Sequence, residues 1–207
     1  MTAPRRPPTG SQARAERSRQ TVIDETVGYI LQEGFAPPSM RQITERAGLT
    51  WGVVQYHFGD LDGILMAVVD KGFGELLQTL DALPARAAAV GAQKRPAFIV
   101  DAVWQAFSTP TSMAALEILI ATRGARTSSA NAHLAAMTQR LNEIGRHLDP
   151  DLAPARAGRL GNLIWATIRG LVAVQLTWPE PLDSTRDREM LVEVITAYLA
   201  AHGEARR

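Results

Sequence analysis

Apolar residues recur throughout this chain with the spacing of one face of an α-helix, and this periodicity constrains the fold more than any other feature. One stripe consists of Val22, Ile23, Val27, Ile30 and Leu31. Alternation with a period of two, which is typical of strands, is absent, so we predict an all-α protein of about nine helices. Caps and prolines bound the predicted helices, which cover residues 11–33, 39–47, 50–57, 60–84, 96–108, 112–123, 128–148, 154–178 and 185–202.

The composition excludes several classes of protein. The formal net charge of +1 argues against a protein that coats nucleic acid electrostatically, although it allows a small basic patch. The absence of cysteine excludes disulfide frameworks, iron–sulfur clusters and thiol nucleophiles. It also fits the cytoplasm, where we expect the protein to act. Residues 160–178 form the most apolar run, but Arg169 within it is costly in lipid, so we expect a buried helix and no membrane contact.

Sequence motifs of enzymes are missing. The histidines are scattered, and no P-loop, nucleophile elbow or Gly-rich dinucleotide turn is present. We therefore expect neither catalysis nor a cofactor or metal. The four scattered histidines are His57, His133, His147 and His202.

Residues 1–12 are rich in Pro and Arg and have no apolar stretch, which predicts a disordered arm.

Two short helices joined by a tight turn are predicted between residues 39 and 58. Ser39 and Gln42 match a capping box at the start of the first helix. Gly48 suits the left-handed conformation that ends it. The pattern is typical of a helix-turn-helix, whose second helix lies in the DNA major groove, and a helical hairpin without a DNA role is the alternative. Inward-facing pairs four residues apart support the packing: Ile43 with Ala47, and Val54 with Phe58.

Residues 42–58 read QITERAGLTWGVVQYHF and resemble the N-terminal domain of the TetR family of transcriptional regulators. The family's hallmark is an Ile-Ala-x-x-Ala-Gly-Val-Ser-like run, followed by a recognition helix that ends in a Tyr-x-x-Phe-like cluster. The Ala-Gly-Leu-Thr run at 47–50, Gly52 and the pair His57-Phe58 keep that register. The resemblance implies a helix-turn-helix DNA-binding domain at 13–60 and a helical ligand-binding and dimerisation domain at 61–207.

Two positions depart from the family pattern. Many members have a tyrosine where this chain has Gln55 and a lysine where it has Leu61, and both family residues contact DNA phosphates. Gln55 can still hydrogen-bond a phosphate or a base edge, but Leu61 cannot, so we expect the loss of one phosphate contact. The arginines of residues 1–20 either compensate for it or belong to a solvated tail. A helical ligand-binding or scaffolding protein that has lost specific DNA binding remains the alternative.

The predicted DNA contacts lie on and around the third helix. Gln55 is the best candidate for a base contact because an amide pairs bidentately with adenine, and Val53 suits a thymine methyl. Thr50 and the backbone amides beside it favour a phosphate, as do Tyr56 and His57. For the aromatic residues, packing against neighbouring helices is the alternative. The predicted DNA-binding set is Arg41, Thr50, Trp51, Gly52, Val53, Gln55, Tyr56 and His57.

The helix predicted at 154–178 is apolar on nearly all sides, and such a helix must be buried. Pairing it and the last helix with their two-fold copies makes a four-helix interface, which the resemblance implies for a homodimer on double-stranded operator DNA. The resemblance also implies a repressor, and a pocket among the middle helices for a small, largely apolar effector that lowers DNA affinity. Each residue predicted for this pocket also suits an ordinary core position. They are Trp104, Phe107, Met113, Leu116, Ile120, Met137, Leu141, Trp165, Ile168 and Arg169.

Overall fold

The structure, a computed structural model, describes residues 10–34, 38–124, 139–140, 143–178 and 180–202. All regular secondary structure in these ranges is helical, so the all-α prediction is confirmed. A 3₁₀ turn covers Ala92–Lys94, and residues 143–148 are also helical. The remaining helices are α1 (Gly10–Glu33), α2 (Met40–Ala47), α3 (Trp51–Phe58), α4 (Leu61–Ala88), α5 (Arg95–Phe107), α6 (Pro110–Ala121), α7 (Pro154–Gln175) and α8 (Thr185–His202).

The chain divides into two compact units, an N-terminal unit at Met1–Val68 and a C-terminal unit at Val69–Arg207, and the division falls within α4. In the N-terminal unit α1 packs against both α2 and α3, and these two helices pack against each other. Removing the apolar side chains at these contacts from water is the main source of stability. The side chains with almost no exposure are Val22, Ile23, Ile30, Ile43 and Val54.

The turn between α2 and α3 has the predicted caps. Ser39 accepts a hydrogen bond from the Gln42 backbone N–H, while the Gln42 side chain accepts one from the Ser39 backbone N–H, as in a capping box. Gly48 has φ 62°, a left-handed conformation that glycine adopts without a Cβ penalty. Its N–H donates to the Glu45 carbonyl at 3.2 Å, which satisfies one of the last carbonyls of α2.

The predicted end of α4 at Pro84 is wrong, because the helix continues through Pro84 to Ala88. A proline inside a helix removes one backbone hydrogen bond and costs about 3 kcal/mol. Leu80, Leu83 and Ala87 lie on both sides of it and are almost fully buried. Their burial offsets the cost of the proline, so tertiary packing overrides the local signal.

In the C-terminal unit α5 is the central helix, since it packs against α6, α7 and α8. The core between these helices is formed by aliphatic side chains with very little exposure. They are Ile99, Val103, Ile118, Ile164, Ile168, Leu191 and Ile195. None of the described helices is long and apolar enough to cross a membrane.

Several predicted helix ends differ from the observed ones by two or three residues. The helix predicted from 112 begins at Pro110, because the Thr109 hydroxyl accepts a hydrogen bond from the Ser112 N–H and Pro110 suits the first turn. The helix predicted to 178 ends at Gln175. The helix predicted at 128–148 lies largely outside the described residues, whereas the one predicted at 185–202 has the observed bounds.

Candidate nucleic-acid interface and internal cavity

Helix α3 presents polar and aromatic side chains on its outer face. Val54 is fully buried and holds the helix against the N-terminal unit. Gln55 is exposed, and so are Trp51 at 50% and Tyr56 at 84%. Neither ring is therefore buried in the core of the unit, although half of the Trp51 surface is covered by its neighbours. The exposed aromatic side chains and the amide thus lie side by side on the surface of α3.

The remaining α3 residues differ in exposure. Val53 and His57 are half-buried. The His57 ring meets Tyr56 edge-on at a centroid distance of 5.2 Å, and it also contacts Phe58 at 6.2 Å. The guanidinium of Arg19 in α1 lies 5.8 Å from the Phe58 ring centroid. These contacts fix the C-terminal turn of α3 and limit the part of His57 that an incoming phosphate reaches.

The N-terminus of α3 is open to solvent. Thr50 is the N-cap residue, with extended backbone and an exposed side chain that caps no backbone N–H. No heavy atom lies within 4 Å of the position that a Cβ on Gly52 would take. Because the first N–H groups of a helix have no intrahelical acceptor, this end favours an anion. The arrangement is compatible with a phosphate contact at Thr50 and Gly52.

Arg41 on α2 is exposed but already has a partner. Its Nε lies 2.7 Å from Glu45 Oε1, one helical turn away. The hydrogen bond and the charge of Glu45 raise the pKa of the Arg41 guanidinium. A phosphate must therefore compete with Glu45 for this side chain. Leu61, where many relatives have lysine, is half-buried and offers no hydrogen bond.

Arg46 supports this surface and was not predicted from the sequence. Its Nε lies 3.3 Å from Glu25 Oε2, one of its terminal nitrogens donates to Gln32 Oε1 at 3.1 Å, and it lies over the Tyr29 ring. These contacts join α2 to α1. The partners precede Arg46 by 14 to 21 residues, so no local pattern in the sequence indicates them.

The C-terminal unit contains a cavity of about 210 Å³ among α4, α5, α6 and α7. Five of the residues predicted for a pocket line it. Three others do not: Ile168 is fully buried in the core, Met113 lies outside the wall, and Trp104 lies beneath the Arg188 guanidinium. Met137 and Leu141 are outside the described residues. The five lining residues are Phe107, Leu116, Ile120, Trp165 and Arg169.

Helix α4 also contributes to the cavity wall, which the sequence analysis missed. A Cβ at Gly72 would lie 3.0 Å from the Ala115 Cβ and 3.1 Å from the Thr111 carbonyl oxygen, so α4 and α6 approach each other closely there. A glycine within the apolar stripe of α4 was the available signal. The other lining residues that were missed are Phe73, Leu76, Ser112, Ala115, Leu119 and Val172.

Two aromatic rings and one cation stand out in the cavity wall. The rings of Phe107 and Trp165 pack at a centroid distance of 4.7 Å. The Arg169 guanidinium lies 5.4 Å from the Trp165 ring centroid. The Ser112 hydroxyl donates to the Ala106 carbonyl at 2.9 Å, so its proton is already used. The wall is therefore largely apolar, with a positive charge at one point.

Helix α7 is buried on one face rather than on all sides. Ile164 and Ile168 are fully buried, whereas Leu163 and Val174 are 40% and 44% exposed. The latter two are eleven positions apart, which places them on the same helix face. On α8, Met190 and Val194 are exposed one turn apart. Each of the two neighbouring helices thus has an apolar stripe that the single chain leaves uncovered.

Comparison with known proteins found related regulators but no matching family model. The chain is 35% identical over 63 residues to the HTH-type transcriptional regulator BetI of Paraburkholderia phytofirmans, which covers 30% of this chain and 32% of that protein. It is 32% identical over 108 residues to the HTH-type transcriptional regulator SrpR of Pseudomonas putida, and the match covers 52% of this chain and 48% of that protein. The chain thus spans about a third to a half of the length of these first relatives.

A shorter relative is covered over most of its length. The chain is 31% identical over 108 residues to the uncharacterized HTH-type transcriptional regulator TtgW of Pseudomonas putida, which is 52% of this chain and 76% of that protein. The matches are to transcriptional regulators and not to enzymes, in agreement with the expectation from the missing catalytic motifs.

Solved structures share the fold over nearly the whole chain. A TetR-family regulator from Mesorhizobium loti superposes with a TM-score of 0.65 at 16% identity, covering 91% of this chain and 98% of that one. NalD of Pseudomonas aeruginosa, a secondary repressor of a multidrug efflux pump, gives a TM-score of 0.60 at 21% identity and covers 89% and 96%. With the capped helix-turn-helix, the curated relative and the shared fold in agreement, the chain belongs to the TetR family of transcriptional regulators.

Proposed function

We propose that this chain is a cytoplasmic, ligand-responsive repressor that binds operator DNA as a homodimer and is released by a small, largely apolar effector. The observation that carries the proposal is the outer face of α3, where Trp51, Gln55 and Tyr56 are exposed on a helix fixed by buried Val54. A short helix that buries one side and exposes amide and aromatic groups on the other suits the major groove.

The roles proposed on this face follow from the chemistry of each group. Gln55 reads a base edge, because its amide both donates and accepts hydrogen bonds, and Val53 packs against a thymine methyl. The open N-terminus of α3 at Thr50 and Gly52 binds a phosphate. Tyr56 reaches a neighbouring phosphate through its hydroxyl, and His57 contributes to the same contact. Trp51 and Arg41 complete the surface.

Dimerisation is proposed from the uncovered apolar stripes of α7 and α8. Leu163 and Val174 on one helix, and Met190 and Val194 on the other, are exposed in the single chain. Pairing with a two-fold copy removes these side chains from water in a four-helix interface. A dimer also brings two recognition helices to successive major grooves, about 34 Å apart.

Effector response is proposed from the cavity and from the helix that lines it. Gly72, Phe73 and Leu76 of α4 belong to the wall, and α4 begins three residues after α3 ends. A ligand that favours one conformation of α4 lowers DNA affinity by shifting the population towards that conformation. The structural neighbour NalD is described as a repressor of a multidrug efflux pump, and a further neighbour in fold, EbrR, as a multidrug binding protein. These descriptions support a small-molecule effector for this chain.

The test is to titrate the protein into labelled DNA from upstream of its own gene and to measure binding by fluorescence anisotropy at matched salt. We expect Gln55→Ala to weaken binding about 10- to 100-fold, the usual effect of losing a bidentate base contact. The control is Gln105→Ala, an exposed amide on α5, which should leave affinity unchanged. Binding that appears only at low salt and ignores sequence would instead indicate a protein that has lost specific DNA recognition.

A further inference from the structure

The cavity of the C-terminal unit has one charged side chain in the otherwise largely apolar wall that the structure describes. Arg169 is the one charged residue in its described wall, and no described residue forms a salt bridge or hydrogen bond with its guanidinium. The Arg169 side chain is exposed, as is Arg159, another arginine of α7 without a carboxylate partner among the described residues. Four described arginines do form carboxylate pairs. These pairs are Arg41 with Glu45, Arg46 with Glu25, Arg140 with Asp81 and Arg188 with Asp101.

We propose that the effector is a small aromatic carboxylate, whose ring lies against Phe107 and Trp165 and whose carboxylate pairs with Arg169. The proposal rests on the proposed function, in that it names the chemical class of ligand for the same cavity. Guanidinium and carboxylate match in geometry and form short, charge-assisted hydrogen bonds. The ligand therefore supplies the anion that the described chain does not provide.

A cationic ligand does not fit the same wall. No acidic side chain is present among the described lining residues, so an ammonium group would have no counter-ion. A cation is also attracted to the face of an aromatic ring. The Trp165 ring, however, already carries the Arg169 guanidinium at 5.4 Å, and a second positive charge there would be repelled.

The rest of the wall selects for an apolar body of limited size. Leu76, Leu116, Leu119 and Val172 provide only carbon surface. The Ser112 hydroxyl donates its proton to a backbone carbonyl, so it does not replace the ligand's anionic partner. The cavity volume of about 210 Å³ exceeds the roughly 150 Å³ of an apolar cavity that holds a benzene molecule. That is room for one or two fused rings with a short acidic arm.

The test compares three naphthalene compounds of similar size and different charge by isothermal titration calorimetry on the full chain. The probes are 1-naphthylacetate, its methyl ester and 2-(1-naphthyl)ethylamine. We expect the carboxylate to bind at least about tenfold more tightly than the ester, since a hydrogen-bonded charge pair is worth that much or more. The amine should bind most weakly of the three.

Variants of Arg169 then assign the effect to one side chain. Arg169→Gln should weaken naphthylacetate binding about 10- to 100-fold and leave ester binding within about twofold. Arg169→Lys should retain part of the preference for the carboxylate, because it keeps the charge but loses the planar fork. The control is Arg159→Gln, an exposed arginine of the same helix outside the cavity wall, which should change nothing.

Equal affinity for the three probes, or no binding of naphthylacetate at millimolar concentration, would overturn the proposed ligand class. So would an equal loss of acid and ester binding in Arg169→Gln. A DNA titration with naphthylacetate separates this proposal from the proposed function. Arg169-dependent binding that leaves DNA affinity unchanged supports the carboxylate site and contradicts effector-driven release. Release of DNA by the ester or the amine alone supports release and contradicts the carboxylate.

Discussion

The α3 surface and the cavity are built on opposite principles. At α3, one fully buried residue, Val54, supports the exposed side chains to which we assign DNA recognition. At the cavity, side chains of four helices form a largely apolar wall, and the exposed Arg169 is the single charge in its described part. Most of the first site lies on α3 and its N-cap, with Arg41 on α2, whereas the second depends on residues spread over about 100 positions. Substitutions on the exposed α3 surface should therefore change DNA affinity more than stability, whereas substitutions in the cavity wall should also disturb packing.

The largest expected effect is on the free energy of unfolding, and it compares a buried side chain of α2 with an exposed side chain of α7. Ile43→Ala removes a fully buried side chain of α2 and should destabilise the N-terminal unit by about 2–5 kcal/mol. Leu163→Ala, on the exposed face of α7, should cost less than about 1 kcal/mol at concentrations where the chain is monomeric. Urea unfolding followed by circular dichroism measures both. A loss below about 1 kcal/mol for Ile43→Ala would contradict the dependence of α2 on this single position.

A glycine pair in α4 tests the sensitivity of the cavity to volume. Gly72→Ala should destabilise the chain by about 1–3 kcal/mol, because its Cβ meets Ala115 and the Thr111 carbonyl. Gly74→Ala, two residues away with no atom within 4 Å, should stabilise it by about 0.5–1 kcal/mol. Thermal unfolding of the two variants gives the comparison directly. Equal shifts in both would show that α4 and α6 separate easily at this point.

Gly48 provides the matching test in the N-terminal unit. Gly48→Ala should destabilise it by about 1–2 kcal/mol, since φ is 62° and a Cβ is unfavourable there. Gly52 lies in a helix with open space around it, so Gly52→Ala should leave the free energy of unfolding unchanged or raise it. The DNA affinity of Gly52→Ala should nevertheless fall, because the proposed phosphate contact places the DNA backbone against this position. Unfolding curves and DNA titrations on both variants separate backbone strain from loss of contact.

The smallest expected effect is a change in DNA affinity on removing one charge from the α2 surface. Glu45→Gln frees Arg41 and removes a carboxylate near the phosphates, so DNA affinity should rise a few-fold, and the slope of log affinity against log salt should steepen by about one. Stability should change by less than about 0.5 kcal/mol, as for most exposed ion pairs. Glu193→Gln on α8 is the exposed control. Weaker DNA binding by Glu45→Gln would mean that Glu45 positions Arg41 for the phosphate.

The N-terminal unit was the easier region to predict, because its signals are local. The capping box depends on Ser39 and Gln42, and the left-handed cap at Gly48 depends on the glycine itself and the last turn of α2. Each signal therefore lies within four residues of sequence. The continuation of α4 through Pro84 was missed because it depends on burial supplied by distant parts of the chain. The cavity was predicted only in part for the same reason. Trp104 and Trp165 both lie on amphipathic helices, and only the packing of α5 and α7 places one under Arg188 and the other in the cavity wall.

The close approach at Gly72 has a mechanical consequence. Where two helices are separated by long side chains, a push on one is absorbed by rotamer changes before it reaches the other. At Gly72 the backbone of α4 lies against Ala115 and the Thr111 carbonyl, with almost no side chain between them. We therefore expect a shift of α6 at this point to displace α4 as well, because little side-chain volume separates the two backbones. The glycine makes this helix pair stiff, and stiffness is what carries a small displacement along a helix of 28 residues.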